Sequence, residues 1–202
     1  MRIDFTRTSH ILFFIGFLPG LSFAIGWAFF QFLPTLPFWI DTISPLAAYG
    51  ILYAIFERTA WRWPIFSWLG IVTAPDVRGR WIGTQQSSHR NKDGKNMTSR
   101  VVLEIQQTFT DITARTYYKR WRVAHCDGSF IELDGEQHLV LLFESEPNSH
   151  HLGDDTDTKG VTRLYYVPGE HKLVGSYFSD NGNYGEVILT HRSHKLLHRF
   201  DA

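Results

Sequence analysis

Charged residues are missing from a long stretch near the N-terminus, and cysteine is almost absent from the whole chain. The 202-residue sequence has no Asp, Glu, Lys or Arg between Thr8 and Ile40, and its single cysteine is Cys126. One thiol excludes a disulfide within the chain and favours a reducing compartment. An uncharged stretch is typical of a membrane anchor, because charge is costly in the bilayer core. We therefore expect a membrane-attached part and a soluble part.

Catalytic motifs are absent as well. The sequence contains no Gly-x-Ser-x-Gly, no His-Glu-x-x-His and no glycine loop of the phosphate-binding type. The pair His150-His151 and the aspartates after it lie in the polar stretch 147–159, which is typical of a solvated loop and not of a metal site. Three further histidines lack regular ligand spacing and predict a frayed C-terminus: His191, His194 and His198. We expect no enzyme, with no catalytic residue, metal or cofactor.

The first part of the uncharged stretch predicts a membrane-spanning helix. Residues 11–32 are apolar except for Ser22 and Gln31. A helix of this length would extend about 33 Å, which is enough to cross the hydrocarbon core. Pro19 lies in mid-span, where neighbouring helices tolerate the kink that proline causes.

A second crossing is expected over residues 38–56. Thr42 to Phe56 is uncharged but too short on its own, so the helix would begin at Phe38, with Asp41 at the far interface. Four tryptophans lie where interfacial belts would be: Trp39, Trp61, Trp63 and Trp68. Residues 1–76 are therefore predicted to be an anchor with two transmembrane helices in a hairpin. A buried hairpin or a re-entrant segment is the alternative.

Positive charge sets the expected orientation of this anchor. Arg2 and Arg7 precede the first span, and Arg58 and Arg62 follow the second, while the turn between the spans has no Lys or Arg. Positive flanks stay in the cytoplasm, so both termini and residues 77–202 are expected on that side.

Small residues recur every three or four positions on both predicted helices: Gly16, Gly20, Ala24, Ala47, Gly50 and Ala54. Such faces let helices approach closely. The pattern fits association of several copies in the membrane, and it fits packing within one hairpin equally well.

Residues 77–202 show the alternation of short β-strands. Val101, Leu103 and Ile105, for example, alternate with more polar neighbours. The strand-like runs are 78–84, 99–105, 111–119, 121–126, 129–133, 138–143, 161–167, 172–178 and 185–190. Turn pairs fall between many of them: Asp93-Gly94, Asp127-Gly128, Asp134-Gly135, Pro168-Gly169 and Asn181-Gly182. Eight or nine strands without a helical period predict an all-β domain, an eight-stranded antiparallel up-and-down barrel.

The first and last of these strands are similar to those of lipocalin-like barrels. Gly79-x-Trp81 lies in the first strand and Arg192 ends the last one. In lipocalin-like barrels the tryptophan closes one end against the final strand. Trp81 is thus either a core residue or a platform for a ligand. A membrane-tethered, lipocalin-like carrier of an apolar ligand is the alternative function.

Charge is distributed unevenly within the β region. Residues 78–122 contain ten basic and three acidic residues, whereas residues 123–186 contain three basic and twelve acidic residues. A basic flank with aromatic residues such as Tyr117 suits a phosphorylated ligand that carries bases, because cations hold phosphates and rings stack on bases. The same flank would also suit anionic lipid headgroups next to the anchor. A long nucleic acid is not expected, because the acidic flank would repel it.

Two anchoring helices followed by this barrel resemble the CD-NTase-associated protein 15 family of membrane effectors in cyclic-oligonucleotide-based antiphage signalling. The resemblance covers essentially the whole chain. The stretches that carry it are Arg80-Trp81-Ile82-Gly83, Leu103 to Phe109, Gly160 to Leu164, Gly175-Ser176-Tyr177-Phe178 and Gly185 to Leu189.

The resemblance implies a mechanism. A partner nucleotidyltransferase makes a cyclic dinucleotide during phage infection, and the cytoplasmic barrel, residues 77–202, binds it. Binding drives the chain into a homo-oligomer, and the helices then disrupt the bacterial inner membrane and kill the cell. Besides the cyclic dinucleotide, the implied partners are membrane lipids.

Charge and stacking then indicate candidate ligand-binding residues. Arg115 and Arg120 would hold phosphates, and Tyr117 and Trp81 would stack on bases. Three residues would donate hydrogen bonds: Thr84, Thr116 and Tyr177. Alternation puts Arg115 and Arg120 on opposite faces of their strand unless the strand bulges.

Overall fold

A computed structural model describes residues 8–32, 45–90, 96–118, 123–133, 135–145 and 158–200 of the chain. These residues form two compact units. The helical unit comprises the residues up to Thr73 together with Thr108–Thr110, and the barrel unit comprises Ala74–Gln107 and the residues from Asp111 onward.

The helical unit begins with one uninterrupted helix. It consists of α1 (Thr8–Ile11), a π-helical stretch (Leu12–Phe17) and α2 (Leu18–Phe32). The π-helical stretch lies just before Pro19, which has no N–H to donate. There the N–H of Leu18 donates to the carbonyl of Phe13, five residues earlier. The Ser22 hydroxyl donates to the carbonyl of Leu18 over 2.6 Å, so this polar side chain is satisfied within its own helix.

This helix is long and apolar enough to cross a membrane over Thr8–Ala28. Only 22% of its most apolar window is buried, unlike the core helix of a soluble protein. Large apolar side chains point outward from it, among them Leu12, Phe17, Phe23 and Trp27, which are between 59% and 65% exposed. A water-facing helix would not expose such side chains along its length. The predicted apolar helix near the N-terminus is therefore confirmed in length and composition.

The second predicted crossing is described only in part. Helix α3 (Pro45–Arg58) has 14 residues, which is about 21 Å of helix and shorter than the hydrocarbon core. Residues 38–44, where the crossing was expected to begin, lie outside the described residues. After α3 come a 3₁₀ turn (Ala60–Arg62) and the short helix α4 (Pro64–Trp68).

Aromatic rings fill the interior of the helical unit. Phe56 of α3 packs against Phe13, Phe14, Phe66 and Phe109, with ring centroids 4.9 to 5.6 Å apart. The Glu57 carboxylate accepts hydrogen bonds from both hydroxyls of the short segment Thr108–Thr110, each over 2.6 Å. The Phe109 N–H donates to the Glu57 carbonyl over 3.0 Å. The segment Thr108–Thr110 is thereby held inside the helical unit.

The barrel unit is a closed antiparallel barrel of eight strands in sequence order, with β1 paired to β8. The strands are β1 (Gly79–Arg90), β2 (Asn96–Gln107), β3 (Ile112–Tyr118), β4 (Val123–Leu133), β5 (Glu136–Ser145), β6 (Thr158–Val167), β7 (Lys172–Ser179) and β8 (Tyr184–Ser193). The prediction of an eight-stranded, antiparallel, up-and-down barrel is confirmed.

The predicted turn at Asp127-Gly128 is wrong, because both residues lie inside β4. The described part of the first run, 123–126, and the run 129–133 therefore belong to one strand. Gly128 pairs with Ile112 on one side and with Leu141 on the other, and a Cβ atom at Gly128 would lie 2.7 Å from a Leu141 methyl carbon. The glycine is there because the barrel interior has no room for a side chain. At Gly135 and Gly182 the predicted turns are present, and both glycines have positive φ.

The barrel interior is packed with apolar side chains. Alternation directs one face of every strand inward. The largest of these residues are at most 3% exposed: Trp81, Leu103, Ile105, Ile112, Leu139, Leu141, Leu164, Leu173 and Leu189.

Trp81 lies at the end of the barrel where the chain enters it. Its indole N–H donates to the Val77 carbonyl over 2.8 Å, and its ring packs edge-on against Tyr166 and His191. The residue of the last strand that packs on Trp81 is thus His191, while Arg192 is exposed. Burial lowers the pKa of His191, and the neighbouring His194 adds to the effect, so the neutral imidazole is favoured beside the indole.

One prediction concerns Gly175 in β7. A Cβ atom there would lie 1.9 Å from the Arg163 carbonyl oxygen of β6, whereas Gly169 in the β6–β7 turn has open space around it. Gly175→Ala should therefore destabilise the folded chain by about 1–3 kcal/mol or more, because backbone must move to admit the methyl group. Gly169→Ala is the control and should change the free energy of unfolding by less than about 1 kcal/mol.

Denaturant unfolding of the full chain in detergent, followed by tryptophan fluorescence, measures both values. Equal stability of the two variants would show that the close approach of β6 and β7 does not constrain position 175.

Candidate ligand-binding groove

A groove of about 560 Å³ crosses the outer wall of the barrel from β2 to β6. Strand pairing explains which residues line it. Glu104, Arg115, His125, Glu144 and Lys159 are successive partners on five neighbouring strands, and alternation points all five outward. A second row of partners runs beside the first: Gln106, Thr113, Asp127 and Leu142.

The first row carries charges of both signs, with Glu104 and Glu144 acidic and Arg115 and Lys159 basic. Arg115 and His125 are exposed on β3 and β4. Lys159 pairs with Glu144 over 2.6 Å, but both side chains remain more than half exposed. Such an exposed pair contributes little stability and exchanges readily for another partner. The groove therefore offers three nitrogen-bearing side chains to an anionic ligand, next to the exposed carboxylates of Asp127 and Glu144.

Leu196 and His198 of the C-terminal tail, residues 194–200, also line this groove. The tail is fixed by the carboxylate of Glu104, which accepts hydrogen bonds from the backbone N–H groups of Leu197 and His198 over 2.8 and 3.1 Å. The prediction of a frayed C-terminus is therefore wrong for these residues. Apolar residues in the terminal segment, such as Leu196 and Phe200, were the sequence signal for packing.

A buried ion pair holds the tail in place. Arg80 and Glu104 are partners on β1 and β2, their charged groups lie 2.6 Å apart, and each side chain is 2% exposed. The Arg80 guanidinium also donates to the carbonyls of Arg199 and Phe200 over 2.8 and 3.0 Å. Two charges out of water are tolerated only when their hydrogen bonds are satisfied, and the tail backbone supplies the missing partners.

Outward-facing residues next to this pair are buried too. The Phe200 ring lies 5.9 Å from the Arg100 guanidinium, and Val102, between Arg100 and Glu104 on β2, is fully buried. Tyr117, the partner of Val102 on β3, is 5% exposed. Burial raises the pKa of the Tyr117 phenol, and the Glu104 carboxylate raises it further, so this side chain stays neutral.

Three of the sequence-predicted site residues face outward. Arg115 lines the groove, and Tyr117 lies two residues further along the same face of β3. Thr84 is exposed on β1, where it pairs with Arg100 and Ile188, away from the groove. Arg120 lies outside the described residues.

The other three predicted site residues face inward. Thr116 lies beside Cys126, with its hydroxyl 3.6 Å from the thiol sulfur, and Tyr177 is 6% exposed. Trp81 is closed off in the core, as described above. The structure thus does not bring the six described candidates together on one surface, because alternation separates Arg115 from Thr116.

Sequence reasoning missed His125, Lys159 and the tail as parts of the groove. Alternation could have found His125 once β3 and β4 were aligned. Lys159 was predicted to end a solvated loop, whereas it lies in β6 and pairs with Glu144. The contribution of the tail depends on contacts between residues about a hundred positions apart, which no local pattern reveals.

Two other features bear on the chemistry of the barrel unit. Burial raises the pKa of the Cys126 thiol to about 11, so it remains protonated and is a poor nucleophile. In the part of the chain that the structure describes, no group of three His, Cys, Asp or Glu side chains is arranged to hold a metal ion.

Neither a protein-family model nor a curated protein matches the sequence.

The Arg80–Glu104 pair generates a prediction about stability. Glu104→Gln should destabilise the folded chain by about 3–5 kcal/mol, because it leaves a buried guanidinium without a countercharge. Glu144→Gln is the matched control, since it breaks an exposed pair and should cost no more than about 1 kcal/mol. The double change Arg80→Met/Glu104→Leu should destabilise the folded chain by less than the sum of Arg80→Met and Glu104→Leu measured separately.

Denaturant unfolding gives the free energies, and limited trypsin digestion reports release of the tail, with faster cleavage after Lys195 expected in Glu104→Gln. Equal effects of Glu104→Gln and Glu144→Gln would contradict the assignment of the buried pair as the anchor of the tail.

Proposed function

We propose that this chain is a membrane-anchored receptor whose barrel binds a cyclic dinucleotide and whose helices then disrupt the bilayer. The observation that carries the proposal is the row of Arg115, His125 and Lys159 on one groove of the barrel wall. Cationic side chains hold phosphates by charge-assisted hydrogen bonds. The volume of about 560 Å³ lies within the range of small-molecule sites.

The second row of the groove suits the bases of such a ligand. Gln106 offers an amide, Thr113 a hydroxyl and Asp127 a carboxylate, and these groups pair with the donors and acceptors on base edges. Leu142 is 59% exposed beside them and offers an apolar surface to a flat ring. A free phosphate or a lipid headgroup would use the first row only, so the second row favours a ligand that carries both phosphates and bases.

The alternative, a lipocalin-like carrier of an apolar ligand, needs apolar space inside the barrel. Apolar side chains such as Leu139, Leu141 and Leu164 occupy that interior and are almost completely buried. The described groove is on the outer wall and is lined mainly by polar residues. These observations support a receptor for a polar ligand over a carrier.

The helical unit supports a membrane role. Its first helix exposes large apolar side chains along Thr8–Ala28. We propose that α3 is the cytoplasmic end of a second crossing, so that both helices form a hairpin in the bacterial inner membrane with both termini in the cytoplasm. The arginines that flank the two segments support this orientation.

In this proposal the chain acts without catalysis of its own. A partner nucleotidyltransferase supplies the ligand, and occupancy of the groove promotes a homo-oligomer whose helices perturb membrane lipids and kill the cell. The small residues on both helices would allow close helix contacts in that assembly.

The ligand is tested by calorimetry on the full chain in detergent, with a panel of cyclic di- and trinucleotides. Arg115→Ala and Lys159→Ala should each weaken binding by about tenfold or more, because a hydrogen bond to a charged group contributes about 1.5–3 kcal/mol. Lys172→Ala is the charge-matched control, since Lys172 pairs with Glu170 at the β6–β7 turn and should not affect binding.

No heat with any member of the panel would rule out the proposed ligand class. Weaker binding in Tyr177→Phe together with normal binding in Arg115→Ala would place the ligand inside the barrel instead of in the groove.

The membrane step is tested with the full chain reconstituted into vesicles loaded with a dye. Addition of the cyclic dinucleotide that binds in calorimetry should release the dye, because the helices rearrange when the groove is occupied. Arg115→Ala should release little dye at the same ligand concentration and serves as the control for insertion. Ligand-independent release, equal in both proteins, would contradict a gated function.

A further inference from the structure

The outer wall of β6, β7 and β8 carries three parallel rows of side chains. Strand pairing places Val161, Phe178 and Tyr184 in one outer row, and Tyr165, Val174 and Ile188 in another. Between them lies the middle row of Arg163, Ser176 and Glu186. We call these nine residues the pairing wall.

The two outer rows of the pairing wall are apolar and exposed. Phe178 and Tyr184 are each 58% exposed, Ile188 is 45% exposed, and Tyr165 and Val161 are 39% and 36% exposed. The rings of Phe178 and Tyr184 stack with centroids 6.5 Å apart. Single exposed apolar residues are ordinary, but two exposed apolar rows on one wall, with a charged row between them, mark an interaction surface.

The middle row carries one charge of each sign. Arg163 and Glu186 lie on either side of Ser176, two strands apart, which is a separation of about 10 Å. Both side chains are exposed, and neither forms an ion pair with any other described residue. A cation and an anion that form no ion pair within the described part of the chain, and that lie between two apolar rows, are complementary to each other across two molecules.

The arrangement is self-complementary about an axis along β7. When two such walls face each other about a two-fold axis parallel to β7, each residue of β6 faces the β8 residue of the same row in the other copy. Arg163 then faces Glu186, Tyr165 faces Ile188, and Val161 faces Tyr184. Ser176 and Phe178 lie next to the axis, so each faces the same residue of the other copy.

We infer that the pairing wall is a dimer interface whose partner is a second copy of this chain. With the axis along β7, Arg163 meets Glu186 and apolar rows meet apolar rows, whereas an axis across the strands would set Arg163 against Arg163 and Glu186 against Glu186. A membrane surface fits less well, because anionic headgroups would repel Glu186 and the nearby Asp180. This dimer forms without ligand, so the inference is independent of the proposed cyclic dinucleotide. Oligomerisation driven by a ligand would then join dimers.

Cross-linking tests the axis directly. Ser176→Cys in the full chain, in native membranes without added nucleotide, should give a covalent dimer with a short thiol–thiol cross-linker, because the two cysteines face each other. Ser129→Cys, exposed on the outer wall of β4 and outside the groove, is the control and should give little dimer. The native Cys126 is buried and does not compete. A dimer yield at position 176 no higher than at position 129 would overturn the inference.

Charge reversal tests the pairing of Arg163 with Glu186. In the Ser176→Cys chain, Arg163→Glu and Glu186→Arg should each lower the yield of dimer about tenfold, because like charges then face each other. The double reversal Arg163→Glu/Glu186→Arg should restore the yield, since opposite charges meet again in exchanged positions. Tryptophan fluorescence checks that each variant is folded.

The two reversals together separate a specific interface from a loss of folding. Recovery in the double reversal supports the pairing wall whatever the calorimetry of nucleotides shows. Failure to recover in a folded double variant, or unchanged yields in both single variants, would overturn it.

Discussion

The ion pair between Arg80 and Glu104 decides the shape of the barrel surface. Charges that are 2% exposed need partners for all their hydrogen-bonding positions, and one carboxylate cannot satisfy a guanidinium alone. The remaining partners are backbone groups of residues 197–200. The chain must therefore return across β1 and β2 after the last strand, and in doing so it places Leu196 and His198 at the edge of the groove. A binding surface on the outer wall is thus a consequence of how one buried charge pair is satisfied.

The helical unit obeys a different constraint, because its first helix has no water to complete its backbone hydrogen bonds if it crosses a bilayer. Pro19 removes one donor, and the π-helical stretch before it redirects the Leu18 N–H to Phe13. Ser22 returns its hydroxyl to the Leu18 carbonyl. The only polar side chain in the middle of the span is therefore satisfied locally, which leaves the outward faces wholly apolar.

The sequence predicted the barrel well because a period of two is a local property of each strand. It gave β2 with Val101, Leu103 and Ile105 inward, and it located the turns at Gly135 and Gly182. It failed at Asp127-Gly128, since a turn signal and a glycine required by close packing look the same in one dimension. It also combined Arg115 with Thr116 in one site, although neighbours in a strand face opposite sides. His125, Lys159 and the tail join Arg115 only through pairing between distant strands, so the groove could not be assembled from local patterns.

Closure of the barrel has a consequence for how copies of this protein can gather. Each of the eight strands already has two neighbours, so the sheet offers no free backbone edge to another chain. The barrel unit therefore cannot assemble by adding strands edge to edge, which is how very stable fibres form. Assembly of the barrel units therefore has to use side-chain contacts, and the charged contacts among them weaken with salt.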